Sequence, residues 1–327
     1  MKAAIRTGLM GKTISFTTNH KEPKFNPKNS KKLKVKINAA AINPVDYKMP
    51  RMVLGKVIGF DFCGTVQEIG SQVTKFAVGD QVYGVTMGSL AEYAISEEDV
   101  VAKKPSHLTC AECGALGVAY QSSLQCLRVG NLIDSNGSET SGKDKSLLVI
   151  GASGGCGVAG LQLAKGLGVT RIVGICSGKN SDLVKEEGAT EVIDYTNETQ
   201  MTEFLEGNKG QFDCVLDCAT GSGGGEDYWN SSISLLKKDT GHYTTLNGSP
   251  SKWIGSMTGR LNERETLLLM KPNGEDLELI ATLLGRIDAK PIITQSGFTE
   301  NEVLEGLKKL KGRRVTGKLV FDINSED

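Results

Sequence analysis

Residues Gly151-Ala152-Ser153-Gly154-Gly155-Cys156-Gly157 follow an apolar run, Leu147-Leu148-Val149-Ile150, and precede a helical pattern over 158–167. In a strand–turn–helix context, glycines let backbone N–H groups approach a pyrophosphate, and the helix N-terminus adds partial positive charge. A second frame, Gly155-Cys156-Gly157-Val158-Ala159-Gly160, also fits G-x-G-x-x-G. The first is preferred because the strand ends at Ile150, so Gly151 begins the turn. The alternative is that these glycines only permit close packing of helix on strand. The expectation is a dinucleotide site formed by Ser153, Gly154, Gly155, Cys156 and Gly157.

The next apolar run, Arg171–Ile175, ends in Cys176-Ser177-Gly178-Lys179-Asn180. An NAD-preferring site places Asp or Glu there to hold the ribose 2′-OH, and this stretch has neither. Ser177, Lys179 and Asn180 instead offer hydroxyl, ammonium and amide donors to a 2′-phosphate, so the expected cofactor is NADPH. Tyr195, ending a third strand, adds a hydroxyl or a flat face on the adenine side. Cys110-Ala111-Glu112-Cys113 is a single C-x-x-C with no second pair, and His20, His107 and His242 are scattered. That pattern suits no structural zinc, and no G-x-S-x-G elbow is present. The chemistry is therefore expected to rest on the cofactor.

The elements that position these residues fall into two styles. Up to about residue 105 the chain is β-rich: Leu33-Lys34-Val35-Lys36-Ile37 alternates with period two, and Gly70-Ser71, Gly79-Asp80 and Gly88-Ser89 mark turns. From about 145, apolar strands alternate with helical stretches (181–187 and 199–206), the pattern of βαβ units on a parallel sheet. A polar loop is expected over 135–146. Helices are expected over 275–287 and 300–310, the second with Val303, Leu304, Leu307 and Leu310 on one face. Gly317–Phe321 reads as a last strand that rejoins the first domain.

Composition is consistent with this division. The length of 327 residues suits two domains. Lys+Arg and Asp+Glu are both 38, which gives no overall basic footprint for nucleic acid. There are 40 glycines, where average usage predicts roughly 23. Eight cysteines are too dilute for a disulfide scaffold and read as buried, reduced thiols. No apolar run reaches the ~18 residues of a membrane span. The N-terminal residues show no signal pattern, so a cytoplasmic protein is expected. The alternative is a plastid or other organelle, with the protein soluble or peripheral to a membrane.

Several separated segments share a pattern. Asn43-Pro44-Val45-Asp46-Tyr47-Lys48 resembles the N-P-x-D-[WY]-K segment of zinc-independent medium-chain dehydrogenase/reductases, in the quinone oxidoreductase branch. Gly59-Phe60-Asp61-Phe62-Cys63-Gly64, Val78-Gly79-Asp80, Leu90-Ala91-Glu92-Tyr93, Gly151–Gly157, Gly188-Ala189 through Asp194-Tyr195 and Thr316-Gly317-Lys318 resemble further motifs of that branch. The spacing of Trp253 and Leu267–Pro272 is most similar to its chloroplast-envelope members. Two stretches depart from the pattern: Gly117–Ser122 replaces a Pro-x-x-Gly-x-Thr stretch, and 49–57 is short.

The resemblance implies an α/β fold with a doubly wound parallel Rossmann sheet inserted into a GroES-like β-barrel catalytic domain. The domains would be 1–121 plus 273–327, and 122–272, with the active site in the cleft between them. It further implies hydride transfer from NADPH to the C=C bond of an α,β-unsaturated carbonyl or to a quinone, without zinc. Asn43 would orient the nicotinamide, with Tyr47 and Lys48 as candidate donors. Ser122, Cys218, Ala219, Leu246 and Lys318 join the cofactor set, and a homodimer is suggested. A glycine loop at 221–225 is expected to cover the nicotinamide. Other readings are quinone reduction proper, an idle NADPH-binding sensor or scaffold, and an anionic-surface contact through Lys308–Arg314.

Overall fold

A computed structural model describes residues 1–8, 13–28, 30–48, 55–133, 142–221, 226–313 and 315–324. Arg314, most of the short 49–57 segment, most of the 135–146 loop and residues 222–225 therefore lie outside the described residues. The strands in chain order are β1 (Ala3–Thr7), β2 (Thr13–Thr17), β3 (Lys32–Ile42), β4 (Asp61–Ile69), β5 (Gln81–Val85), β6 (Tyr93–Glu97) and β7 (Val101–Lys103). They continue with β8 (Ser146–Ile150), β9 (Arg171–Cys176), β10 (Glu191–Asp194), β11 (Cys214–Asp217), β12 (His242–Thr245), β13 (Glu265–Leu267), β14 (Ile293–Ser296) and β15 (Lys318–Asp322). Four helices bear on the site: α1 (Val45–Lys48), α2 (Cys110–Gly114), α3 (Val118–Val129) and α4 (Gly155–Gly166). One structural unit comprises Met1–Gln121, Pro272–Ala281 and Lys290–Asp327; the other comprises Ser122–Lys271 and Thr282–Ala289.

The second unit is a Rossmann domain. Its six parallel strands run β10-β9-β8-β11-β12-β13. All five residues of β8 are buried, as expected for a strand covered on both faces. Register aligns Ile150 with Ile175 on one side and with Asp217 on the other. The strand order reverses at β8, so the carboxyl ends of β8 and β11 flank the switch point where such sheets bind ligands. Gly160 lets α4 settle onto the sheet, because a Cβ there would meet Leu216 Cδ2 at 2.5 Å.

The first unit is GroES-like. Its main sheet runs β14-β15-β3-β4-β5-β7, with β6 also pairing β3. The period-two pattern of β3 buries Leu33, Val35 and Ile37. Ala39, Ala40, Ala41 and Ile42 then bury both faces of the strand, and α2 packs on it with Ala111 and Ala115 against Ala39 and Ala41. The tail does return: β15 pairs antiparallel with β3, Leu319 opposite Ile42. That register sets Lys318 beside Asn43.

Two expectations are corrected here. The helix over Glu300–Lys311 is present, closed by a Thr299–Glu302 capping box, but Leu304 is exposed. Its buried stripe contains Val303, Gly306 and Leu307. The Phe321 ring lies against Gly306, where a Cβ would meet it at 2.7 Å, and this close approach centres the buried face on Gly306. The thiols of Cys63 and Cys110 are also not separate. β4 and the first turn of α2 bring their Cα atoms to 5.5 Å and the two sulfurs pair as a disulfide. A sequence separation of 47 residues hid that pairing.

Candidate active site

The glycine turn has the geometry that its residue types suggest. Gly151 adopts φ +78°, and the N–H groups of Gly151 and Ala152 both donate to Ile175 O, at 3.1 and 3.0 Å. Gly154 is the N-cap of α4 and has no side chain with which to cap it. The N–H groups of Gly155, Cys156 and Gly157 form the first turn, which the helix dipole makes attractive to an anion. Gly157 tolerates no side chain. A Cβ there would run into Gly151 O and approach Ala152 Cα to 2.7 Å. Gly157 therefore serves the close packing of α4 on the turn, whereas a Cβ at Gly154 would meet only Gly151 O, at 3.5 Å, which leaves the uncapped start of the helix open to a pyrophosphate. Ser123 Oγ donates to Cys156 O at 2.7 Å and holds the start of α4.

The ribose-side residues connect to that turn. Asn180 Nδ2 donates to Ser153 Oγ at 3.0 Å and to Ser177 Oγ at 3.3 Å, joining the glycine turn to the end of β9. Lys179 is exposed beside them, and the Tyr195 ring is 59% exposed. An acid does reach this corner, from the neighbouring strand: Asp194 lies opposite Cys176 in register. Its carboxylate accepts from Thr196 N and Oγ1 at 2.9 and 2.7 Å. These bonds, with one from Gly178 N–H, hold its pKa below the ordinary value. Sequence order alone hid Asp194 because parallel pairing, not proximity along the chain, brings it to β9.

At the end of β11 the turn Cys218–Thr220 is organised by Asp217, a residue the motif reading missed. Asp217 Oδ1 accepts from Ala219 N at 2.8 Å and Thr220 N at 2.9 Å. Tyr243 donates its hydroxyl to Asp217 Oδ2, and burial, reinforced by that carboxylate, raises the Tyr243 pKa. The available signal was an acid closing an otherwise apolar strand. Cys218 N–H donates to Ile150 O at 2.9 Å, and Ala219 lies against Gly151. Burial pushes the Cys126 and Cys218 thiols well above their ordinary pKa, which leaves them poor nucleophiles. Leu246 is half-buried just beyond β12, and Ser122 is buried on α3.

In the first unit Asn43 is 5% exposed and fully framed. Its Nδ2 donates to Asp61 Oδ2 at 2.9 Å. Lys318 Nζ donates to Asn43 Oδ1 at 2.5 Å, to Asp61 Oδ2 at 2.8 Å and to Ile42 O at 3.3 Å. Asp61 Oδ1 accepts from Val118 N at 2.7 Å. The ammonium's three hydrogens thus all face protein acceptors.

Asp46 is buried. Its carboxyl accepts from Asn43 N at 2.7 Å and Gly59 N at 3.1 Å. Arg6, also buried, donates to Asp46 O at 2.7 Å. Burial pushes the Asp46 carboxyl up from 3.8 to about 7, against the two backbone N–H bonds. A folded-state pKa above the unfolded one means the folded protein binds the proton more tightly. Stability from this group is then greatest below pH ~4 and declines as pH rises towards ~7, at no more than about 1.4 kcal/mol per pH unit. Thermal melts should show the wild type losing ground to Asp46→Asn between about pH 4 and 7. Parallel curves for the two proteins would refute this.

Tyr47 is half-buried and Lys48 lies at the surface. Lys311 Nζ sits 5.5 Å from the Tyr47 ring centroid. Desolvation first, then the Arg313 charge, lowers the Lys48 pKa. Desolvation raises that of Tyr47, with Arg313 opposing. A lysine with a lowered pKa gives up its proton more readily, and a tyrosine with a raised pKa keeps its own.

Residues 29–106 match a family model described as the alcohol dehydrogenase GroES-like domain, and 187–321 match one described as zinc-binding dehydrogenase. A chloroplastic quinone-oxidoreductase homolog of Spinacia oleracea is 31% identical, covering 98% of this chain and 98% of that protein. A 2-methylene-furan-3-one reductase of Solanum lycopersicum is 33% identical, covering 88% of this chain and 70% of that protein. The solved structure of the quinone oxidoreductase from Coxiella burnetii superposes with a TM-score of 0.78 at 25% identity, covering 99% of each chain.

Proposed function

The chain belongs to the medium-chain dehydrogenase/reductase family, in its quinone oxidoreductase branch, and from that premise we propose that it uses NADPH to reduce the C=C bond of α,β-unsaturated carbonyls, with quinones as further acceptors. Oxidoreductase chemistry with a nicotinamide cofactor is common to the family. The observation that carries the proposal is the glycine turn at the switch point, where the start of α4 has no side-chain cap and Gly154 leaves room in front of its N–H groups.

Gly154–Gly157, with Ser153, would hold the pyrophosphate through backbone N–H groups. Ser177 and Lys179 would take the 2′-phosphate, with Asn180 keeping the corner in shape. Tyr195 would flank the adenine side, and Ser122, Cys218, Ala219 and Leu246 the nicotinamide side. When bound, the reduced cofactor supplies a hydride. Asn43 offers an amide N–H for orientation. Tyr47 and Lys48 would be the candidate donors, with Tyr47 or water supplying the proton that completes saturation of the C=C bond. Zinc takes no part in this reading.

NADPH absorbance followed with 2-alkenals, alkenones and quinones tests the activity, with NADH as control. NADPH should be favoured at least tenfold. Lys179→Glu should erase that preference by removing a charged hydrogen bond of about 1.5–3 kcal/mol, or roughly 10–150-fold. Equal wild-type rates with NADH would overturn the assignment of this corner. We propose a homodimer through an edge strand of the Rossmann sheet, whose end strands are β10 and β13, a state that sedimentation resolves. Among the described residues no helix is long and apolar enough to cross a membrane. Cell fractionation decides between cytosol and plastid.

A further inference from the structure

Lys318 was expected to touch the cofactor; its ammonium is held by the end of β3 and by Asp61. All three of its hydrogens face Ile42 O, Asn43 Oδ1 and Asp61 Oδ2, and the side chain is 5% exposed. We infer that Lys318 and Asp61 are positioning residues that lock the Asn43 carboxamide in a single flip, with its oxygen on the ammonium and one N–H on the carboxylate. This rests on the proposed role of Asn43 towards the nicotinamide cofactor.

The lock follows from charge. An asparagine amide can usually turn over at little cost, since O and N have similar shapes and both find partners. Here a flip would bring an NH₂ group against the Lys318 ammonium and a carbonyl oxygen against the Asp61 carboxylate. Both contacts would become repulsive in a site where Asp61 is fully buried and Asn43 and Lys318 are each 5% exposed. Only one N–H of Asn43 then remains on offer, and always in the same direction. The rest of the surroundings fixes the clamp itself. Asp61 is fully buried, and its other oxygen is held by Val118 N–H. Gly117 permits that approach, because a Cβ there would meet Asp61 Oδ1 at 2.5 Å. Asp46 holds the Asn43 backbone N–H. Two residues more than 250 positions apart in sequence, Asp61 and Lys318, thus orient a third that neither motif includes.

The test uses the full chain, ¹⁵N-labelled at asparagine, without cofactor. The Asn43 side-chain amide is identified as the pair of signals lost in Asn43→Ala. In the wild type these signals should be sharp and protected from exchange with solvent. In Lys318→Met, and in the double variant Asp61→Asn/Lys318→Met, protection should fall by at least tenfold. The double variant leaves no unpaired buried charge, so it carries the test if the single one fails to fold. Its thermal midpoint should return towards the wild-type value while kcat with NADPH and an enone stays 10–100-fold low at little-changed KM. Misplacement of a positioned group has effects of that size. A purely structural role predicts that kcat recovers together with stability. Full amide protection and full kcat in the double variant would overturn the inference. A wild-type protein that oxidises NADPH with no enone or quinone would sink the proposed function, while loss of amide protection would still report on the lock.

Discussion

Asn43→Ala should lower kcat/KM for an enone by about 10²–10³-fold, the usual effect of removing one preorganised donor from a site where charge develops. The argument begins with burial. Asn43 sits at the end of β3, 5% exposed, with its amide gripped by Lys318 and Asp61. A group that is already oriented needs no reorganisation when the reaction occurs. Truncation also takes one hydrogen-bond partner each from Lys318 and Asp61, which keep each other, so a lower thermal midpoint is expected, by the equivalent of about 1–3 kcal/mol. Measuring NADPH affinity by fluorescence separates the two effects. Affinity should change much less than kcat, because the pyrophosphate cradle lies in the Rossmann unit and remains intact. An Asn43→Ala protein with wild-type turnover would remove this residue from the mechanism.

The second large effect is expected from Gly157→Ala: loss of NADPH affinity by more than about 100-fold. The added methyl has nowhere to go. It meets the carbonyl of Gly151 and the backbone of Ala152, not the yielding end of a long side chain. The turn must open, and overpacking of this kind costs about 1–3 kcal/mol. The N–H groups that would face the pyrophosphate then no longer converge. Gly154→Ala is the informative comparison. Its Cβ would find only Gly151 O, at 3.5 Å, an ordinary contact, and Gly154 has φ −80°. The cofactor-free Gly154→Ala protein should melt like the wild type, so any loss of NADPH binding there reflects the ligand and not the fold. Unchanged NADPH affinity in Gly157→Ala would refute the assignment of this turn.

Local patterns were the legible part of this chain. The run Leu147–Ile150 followed by glycines and a helix could be read directly, because strand, turn and helix are consecutive and each is specified by its own residues. The same holds for the alternation in β3 and for the helical stretch over 300–310. The stripe on that last helix was read one residue wrong at Leu304, because periodicity cannot see that the Phe321 ring comes from β15 to lie against Gly306. Asp194 and Asp217 were missed as organisers of their corners, since each acts on backbone that only strand pairing or a turn delivers.

Sequence alone therefore determined the strand–turn–helix units, the glycine turn and the donor types at the end of β9, all of which depend on neighbours within about 30 residues. Tertiary structure decided which distant side chains meet. The register of β15 on β3 places Lys318 against Asn43, 275 residues away. The packing of α2 on β4 pairs Cys63 with Cys110. The burial of Asp46 changes where its carboxyl titrates. The reason is physical. Hydrophobic patterning selects which face of an element is buried, but a hydrogen bond or a shifted pKa depends on positions fixed to within an ångström. Only the packed chain sets those.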